Sequence, residues 1–263
     1  MDVSYRRVSY KRSAQEVHRL TAEAWRTGEP LVSATQGEFR LVVGGSESLG
    51  GALGRLVEQD VFDADFGEHP PARMAEEYGP YESEALFVTI VDQDGPVAVA
   101  RSTWSPTIDQ PTKTEVDLGL PLGQLRRMHG VAEHEPVWDA TTLAIVPRAR
   151  ACREMLGWLF AELSARCCLS TGAPYMSIMR HEFFRVLSIW IPKIQPLGDL
   201  SPFRYLEVWS QPMFSPVGAI FSMTGGFFDV LTNAARSRLA AHGHWGPLIE
   251  GGPHVRTVPS SIR

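Results

Sequence analysis

Asp139 lies near the start of an apolar stretch, VWDATTLAIV (Val137–Val146), which has the pattern of a buried strand. The loop after this stretch carries three arginines: Arg148, Arg150 and Arg153. A carboxylate in apolar surroundings can act as a general base, and arginines at the start of a helix can bind phosphates. The stretch is therefore either an ordinary strand–loop–helix with solvated charges, or a site where a phosphate-bearing cofactor lies beside a catalytic carboxylate.

The elements that would position these side chains alternate between strands and helices. Helical spacing covers residues 12–27, 46–61, 150–166 and 181–190. Strand patterns cover Phe39–Val43, Ala85–Val91, Pro96–Arg101, Val137–Val146 and Tyr175–Met179, with two short strands around Lys193–Leu197 and Arg204–Trp209. Asp94-Gly95 predicts a hairpin turn. This order predicts an α/β fold with a mixed central sheet and flanking helices.

The remaining stretches are predicted to be irregular or terminal. Residues 63–83 read as a loop with one helical turn near Ala72–Tyr78, and residues 105–136 as a second loop with a short helix at Leu122–Met128. A last helix within Ser222–Ala241 precedes a loose tail. The predicted organisation is an N-terminal helical extension (1–35), a central domain (36–215), and a C-terminal helix and tail packed on that domain (216–263).

Composition excludes several classes of protein. The chain has 263 residues, 44% of them hydrophobic, which is enough for one large domain with a substantial core. A net charge of −5 does not indicate a nucleic-acid partner. No apolar run approaches the ~20 residues of a membrane span, and the N-terminus lacks the apolar stretch of a secretory signal. Three cysteines, an odd and clustered set, predict a reducing cytoplasm.

Four stretches carry a resemblance to a known class of enzymes. They are LGRLVEQDVF (Leu53–Phe62), DQDGPVAVARSTWSPT (Asp92–Thr107), VWDATTLAIVP (Val137–Pro147) and IQPLGDLSPFRYLEVW (Ile194–Trp209). Together they resemble the GCN5-related N-acetyltransferase (GNAT) class, and within it the acyl-homoserine-lactone synthases and the N-acyl amino acid synthases. Phe62, Arg101 and Trp138 match that pattern, and Asp139 replaces its glutamate. Glu58 and Thr142 stand where the family has arginines, so S-adenosylmethionine is not predicted as a substrate.

The resemblance implies a GNAT-like fold and an N-acyltransferase. Such an enzyme would move an acyl group from acyl-CoA or acyl-carrier protein to the amine of an amino acid or small metabolite. The amine would attack the thioester directly in a ternary complex, and the product would serve signalling or secondary metabolism. No metal and no membrane or nucleic-acid partner would be involved. The protein would be a monomer or a homodimer. Two alternatives remain: a non-catalytic acyl- or CoA-binding protein on a degenerate acyltransferase fold, and an enzyme that has adapted the pocket to another ligand.

The resemblance also implies roles for particular residues. Asp139 would accept the proton of the amine, and Arg101 would hold the carboxylate of the acceptor or orient Asp139. The residues expected to bind the donor are Thr142, Leu143, Ala144 and Ile145 along the strand, and Arg148, Arg150 and Arg153 at the phosphates, where an acidic carrier protein could also dock. The residues expected to line the substrate pocket are Phe62, Trp104, Trp138, Met176, Phe183 and Phe184. Tyr175 and Tyr205 are candidate general acids.

Each of these roles has a structural alternative. Asp139 could face solvent at a sheet edge or pair with Arg101, and Arg101 could be a solvated strand end. The arginine cluster could be a solvated basic loop. The apolar residues could be plain core, which is the more frequent use of such side chains at helical and strand spacing.

Overall fold

The computed structural model describes residues 8–216, apart from 34, 68–69, 153 and 170, together with residue 219. The helices are Ala14–Thr27 (α1), Leu49–Phe66 (α2), Pro71–Tyr78 (α3), Lys113–Asp117 (α4), Gln124–Met128 (α5), Glu154–Leu163 (α6) and His181–Trp190 (α7). The strands are Glu29–Ser33 (β1), Gly37–Gly45 (β2), Ala85–Val91 (β3), Pro96–Ser105 (β4), Val137–Ile145 (β5), Tyr175–Arg180 (β6), Gln195–Pro196 (β7), Phe203–Tyr205 (β8) and Val208–Ser215 (β9). The predicted C-terminal helix and tail, and the Arg153 side chain, lie outside these residues.

All the described strands join one mixed sheet. Its order is β1-β2-β3-β4-β5-β6-β9-β7, with β8 paired to β9. The strand pairs are antiparallel except for β5 and β6, which run parallel. The crossover between those two strands contains α6, as a parallel connection requires. The mixed α/β sheet predicted from the sequence is therefore confirmed.

The two parallel strands separate soon after they meet. Their ladder contains only the residue pairs Trp138↔Tyr175 and Asp139↔Met176. Beyond this point β6 continues along β9, whereas β5 stays paired with β4 as far as Ile145. The sheet is therefore open between β5 and β6, and the opening begins directly after Asp139.

Helices cover both faces of the sheet. Helix α2 packs so closely on one face that a Cβ atom at Gly54 would lie 2.7 Å from Phe87 and 2.9 Å from Val99. On the other face, the ring of Trp158 in α6 lies 5.8 Å from that of Phe39. Because side chains alternate along β4, Arg101 points to the α2 face, and Ser102 lines a cavity with residues of α6. The main core contains residues of the sheet, of α6 and of α7, together with Val57 and Val61 of α2.

The N-terminal elements pack on this domain. Strand β1 pairs with β2 through a hairpin, so the expected boundary at residue 36 falls inside that hairpin. Helix α1 begins with a capping box between Ser13 and Glu16 and buries Leu20 and Ala24 against α2. No helix of the described part of the chain is long and apolar enough to span a membrane.

The sequence predicted most elements but not their ends. Helix α1, the β3–β4 hairpin, β5, β6 and α7 are confirmed. Strand β1 and helix α4 were not predicted. Helix α2 begins after Ser48, whose hydroxyl accepts from Gly51 N, and it extends to Phe66 into the predicted loop. The expected helix at 150–166 begins at Glu154 and continues as a π-helical turn over Ser164–Leu169.

Candidate active site

Asp139 is fully buried, and its carboxylate is held by one residue, Thr114. The main-chain N–H of Thr114 donates to Asp139 Oδ2 at 2.7 Å, and the Thr114 hydroxyl donates to Asp139 Oδ1 at 2.8 Å. Burial raises the pKa of Asp139 to about 7, and the two hydrogen bonds oppose that rise. A carboxylate with this pKa can accept and release a proton near neutral pH.

Helix α4 brings Thr114 to this position. The helix begins with a capping box, in which Thr112 accepts from Glu115 N and the Glu115 carboxylate accepts from Thr112 N. Thr112 also contacts Met176 on β6, because its hydroxyl lies 3.5 Å from the Met176 Sδ atom. The cap thus fixes the first turn of α4 over the point where β5 and β6 begin to separate.

Lys113 ties α4 to two neighbouring elements. Its ammonium group lies 2.7 Å from Asp117 and 3.0 Å from Glu77, and it donates to the Tyr205 hydroxyl at 3.3 Å. The Tyr205 hydroxyl donates in turn to Asp117 at 2.5 Å. Tyr205, which we considered as a general acid, therefore contacts the end of α4, and its pKa is raised by burial and by Asp117.

Arg101 lies at the centre of a second buried cluster on the same face of the sheet. Its Nε atom lies 3.0 Å from Glu58 and its Nη1 atom 3.4 Å from Glu82. Arg101 Nη1 also donates to the Tyr10 hydroxyl at 3.2 Å, and its guanidinium carbon lies 3.6 Å from the centre of the Tyr78 ring. Arg101 is fully buried, so it is not a solvated strand end.

Glu82 extends this cluster toward the start of α2. Its carboxylate accepts from Arg55 Nη1 at 3.0 Å and from the hydroxyl groups of Tyr10 and Ser46. Two arginines and two glutamates are thus buried together, and each charge faces an opposite charge. Burial raises the pKa of Glu58 above its usual range, and the nearby Arg101 opposes that rise. Removing one partner of such a network leaves an uncompensated buried charge, which costs about 3–5 kcal/mol.

Asp139 and Arg101 share a face of the sheet without being joined by a hydrogen bond. Asp139 is opposite Thr103 on β4, two residues after Arg101, whereas Arg101 is opposite Thr142. The register shifts between Arg101 and Ser102, so Thr141 is not paired with a residue of β4 in the ladder, although its hydroxyl donates to the Arg101 carbonyl at 3.5 Å. A bulge of this kind turns side chains toward a site, and here it keeps both Asp139 and Thr142 on the face of Arg101.

The edge of β5 that faces the opening includes the predicted donor-binding residues. Between Thr141 and Ile145 the strand pairs with β4 on one side only, and β6 has already turned away. The Ser177 hydroxyl donates to the Ala140 carbonyl at 2.7 Å and closes the narrow end of the opening. Thr142 and Ala144 are buried, whereas Leu143 is 38% exposed. Among the described residues, no second strand pairs with this edge, although the Ile145 carbonyl accepts from Arg150 Nε at 3.2 Å.

Two of the predicted phosphate-binding arginines are paired with carboxylates. Arg148 forms an ion pair with Asp92, and Arg150 Nη2 donates to both oxygens of Asp65 at 2.8 and 2.9 Å. Arg180, at the end of β6, donates to the same Asp65 at 3.1 Å. The three arginine side chains are about half exposed, between 46% and 53%. Arg150 and Arg180 therefore meet at the wide end of the opening.

The predicted substrate-pocket residues do not form one pocket. Phe62 packs with Tyr10, Met74 and Tyr78, and Met176 belongs to a cluster with Leu125 and Phe214. Trp104 and Trp138 contact each other, with ring centres 4.8 Å apart. Phe184 belongs to the main core, and Phe183 packs against it. A small cavity of about 10 Å³ lies on the opposite face of β4 and has a different lining: Ser102, Phe160, Leu163, Ser164, Cys167 and Tyr175.

No protein-family model and no curated protein matches this chain. Solved structures do match it. The acyl-homoserine-lactone synthase LasI superposes with a TM-score of 0.50 at 11% identity, over 71% of this chain and 95% of that one. The chain has the GNAT-like acyltransferase fold.

Two further matches are weaker in superposition. FeeM, an N-acyl amino acid synthase from uncultured soil microbes, gives a TM-score of 0.46 at 12% identity over 75% of this chain and 96% of that one. BjaI, a CoA-dependent acyl-homoserine-lactone synthase solved with SAM and isopentyl-CoA, gives 0.44 at 14% identity over 69% of this chain and 78% of that one. The superposition on LasI confirms, at the level of the fold, the resemblance found in the sequence.

Within the GNAT-like fold, sequence reasoning missed two residues of the site. Thr114 lies in a stretch that was predicted to be irregular, although Thr112 and Glu115 have the spacing of a capping box, which would have predicted α4. Glu58 was noted only as a departure from the family pattern. The structure places it 3.0 Å from Arg101, so a carboxyl group lies beside Arg101 at the position where the family has an arginine.

Proposed function

We propose that this protein is an N-acyltransferase that moves an acyl group from a thioester donor to the amine of an amino acid or small metabolite. The observation that carries the proposal is the position of Asp139 at the narrow end of the opening between β5 and β6. A thioester arm laid along Thr141–Ile145 would have its acyl end near this carboxylate. The shared fold with LasI, an acyl-homoserine-lactone synthase, supports acyl transfer as the reaction class.

The donor would bind by pairing with the strand. Pantetheine carries amide groups, and the β5 main chain beyond Asp139 has no second strand to bond. Phosphates at the other end of the arm would meet Arg148 and Arg150, which would exchange Asp92 and Asp65 for the incoming anion. Both acyl-CoA and acyl-carrier protein present this arm.

The chemistry requires two protons to leave the acceptor nitrogen. The ammonium group first gives one proton to Asp139, and the freed electron pair attacks the thioester carbon. The C–S bond then breaks, its electron pair leaves on sulfur, and the thiolate takes the second proton. The pKa of Asp139, at about 7, suits the first transfer, because a general base is most effective when its pKa lies near the operating pH.

The acceptor would bind on the face that Asp139 shares with Arg101. Arg101 would bind the carboxylate of the acceptor. This carboxylate would replace the Tyr10 hydroxyl, which accepts from Arg101 Nη1 at 3.2 Å. An α-amino acid would thereby place its nitrogen on the side of Asp139.

A direct assay tests the proposal. The full chain is incubated with acyl-CoA of several chain lengths, or with acyl-carrier protein, and a mixture of amino acids. Mass spectrometry detects N-acyl products, and a thiol reagent measures the released thiol. Formation of an N-acyl amine that is lost in Asp139→Asn supports the assignment. Absence of transfer from every donor, together with tight donor binding, would contradict it.

A non-catalytic acyl- or CoA-binding protein is the second candidate, and one observation favours it. Both oxygens of Asp139 are occupied by Thr114, and Asp139 has no exposed surface. A binding protein has no need for an accessible base. The two candidates differ in the assay above, since a binding protein would be stabilised by the donor without consuming it.

A further inference from the structure

Asp139 can exchange protons with a ligand only through its immediate contacts. Within the described residues, the groups that hydrogen-bond to its carboxylate both belong to Thr114: the main-chain N–H and the hydroxyl. An amide N–H donates but does not take part in proton exchange on the timescale of turnover. A hydroxyl donates one proton and accepts another through its lone pairs. The Thr114 hydroxyl is therefore the contact that can pass a proton onward.

We propose that the Thr114 hydroxyl carries the proton from the acceptor amine to Asp139, an assignment that rests on the acyl transfer proposed above. The N–H bond of the ammonium group breaks, and its proton binds Thr114 Oγ1 while the electron pair stays on nitrogen. The original proton of Oγ1 moves over the 2.8 Å to Asp139 Oδ1. Threonine is restored, Asp139 is neutral, and the nitrogen is ready to attack.

The position of α4 supports this role. Helix α4 lies directly over the Asp139 carboxylate. Its residues Lys113, Thr114 and Glu115 are buried, whereas the next residue, Val116, is 54% exposed. Thr114 is the side chain of α4 that contacts Asp139. The capping box and the ion pairs of Lys113 hold the helix in place, which keeps the two oxygen atoms aligned.

The charges around Asp139 are compatible with proton transfer near neutral pH. Lys113 and Asp117, both on α4, act on the carboxylate with opposite sign. Tyr81, from the turn before β3, also interacts with Asp139, and burial raises the pKa of that phenol to about 12. Tyr81 therefore stays neutral, and Thr114 remains the contact that can change its hydrogen-bonding direction.

The test compares Thr114→Val with Thr114→Ser. Valine keeps the shape and the main-chain N–H but lacks the hydroxyl, whereas serine keeps the hydroxyl. Rates of acyl transfer are measured well above the pKa of Asp139, where the carboxylate is ionised in every variant. We expect kcat to fall about 10²-fold in Thr114→Val and to be largely retained in Thr114→Ser. Thr89→Val is the matched control, because its buried hydroxyl donates to Gly50 O instead.

The opposite result would overturn the proposal. If α4 moves aside and the acceptor touches Asp139 directly, Thr114→Val keeps or exceeds the original rate. A proton inventory in mixtures of H2O and D2O gives a second readout, which a purely structural role of Thr114 would not change. We expect two protons to move in the transition state for the original chain and for Thr114→Ser, and one for Thr114→Val.

A titration separates this proposal from the reaction on which it rests. Carbon-13 NMR of labelled aspartate follows Asp139 without any substrate, and Asp139→Asn identifies its signal. Loss of the Thr114 hydroxyl should raise the pKa of Asp139 by about one unit in Thr114→Val, because a hydrogen bond to the charged form is removed. An unchanged titration would show that the hydroxyl does not serve Asp139. A shifted titration in a chain that transfers no acyl group would instead contradict the proposed reaction alone.

Discussion

Glu58 and Asp139 are both fully buried on the α2 face of the sheet, and they are compensated in different ways. Glu58 lies 3.0 Å from the guanidinium group of Arg101, whereas Asp139 accepts two hydrogen bonds from the uncharged Thr114. A full positive charge in contact favours the ionised form, and neutral donors favour it less. Burial of a carboxylate is therefore not enough to indicate a base. Burial raises the pKa of both groups, and we propose that the kind of partner separates a carboxylate that holds the structure from one that exchanges a proton in the reaction.

The largest expected effect is on stability, at the ion-paired carboxylate. Arg101→Met leaves Glu58 and Glu82 without their shared partner in the core. We expect the free energy of unfolding to fall by about 3–5 kcal/mol, measured by urea denaturation at pH 8. The double variant Arg101→Met/Glu58→Gln should recover part of this loss, because it removes one of the uncompensated charges. A decrease below about 1 kcal/mol would contradict the network as described.

The next effect is on the reaction, at the carboxylate held by Thr114. Asp139→Asn should lower acyl transfer by about 10²-fold or more while the protein stays folded. Asparagine is nearly isosteric and can still accept from Thr114 N. The matched change, Glu58→Gln, should alter the free energy of unfolding more than the rate. A comparable loss of rate in both variants, with both folded, would remove the distinction between the two carboxylates.

The third expected effect is the pH dependence of stability. The pKa of Asp139 is about 7 in the folded protein, compared with 3.8 for an unperturbed aspartate. The folded state therefore binds the proton more tightly, and this contribution is fully present below pH 3.8 and is lost as the pH rises through 7. Between pH 5 and 8, the free energy of unfolding should fall by about 2–3 kcal/mol more in the original chain than in Asp139→Asn. Parallel pH profiles would contradict the raised pKa.

The smallest expected effect is at the exposed ion pairs. Arg148→Met breaks the pair with Asp92, in which the arginine side chain is 46% exposed. We expect the free energy of unfolding to change by less than about 1 kcal/mol, and less again in high salt. Equilibrium unfolding in low and high salt measures both quantities. A loss as large as that of Arg101→Met would mean that exposure does not distinguish the two pairs.

The sequence predicted the fold from features that depend on few residues at a time. Alternation identifies β5, and the Asp94-Gly95 turn identifies the β3–β4 hairpin. These local patterns give the succession of elements along the chain, whereas the GNAT-like arrangement was predicted from the resemblance. Helix α4 was missed because it has only five residues, too few for a hydrophobic period. Its capping box was the available signal.

The site was predictable only in part, because its contacts join distant parts of the chain. Asp139 was selected from its place at the head of a strand, but its partner Thr114 is 25 residues earlier. Tyr10 and Arg101 are 91 residues apart and meet through the hydroxyl of Tyr10. The apolar residues expected to form one pocket are divided among separate clusters, since spacing along an element gives the face of a side chain but not its neighbours.

The two-residue ladder between β5 and β6 has a mechanical consequence. Strands β1 to β5 form one part of the sheet and strands β6 to β9 another. The two parts are joined by the pairs Trp138↔Tyr175 and Asp139↔Met176 and by the hydrogen bond from the Ser177 hydroxyl to the Ala140 carbonyl. A ligand arm that bonds along Thr142–Ile145 would supply the rungs that a continuous sheet would have. Donor binding would then stiffen the junction between the two parts of the sheet. Amide hydrogen exchange at Thr142–Ile145 would slow, because the bound arm would protect these amides.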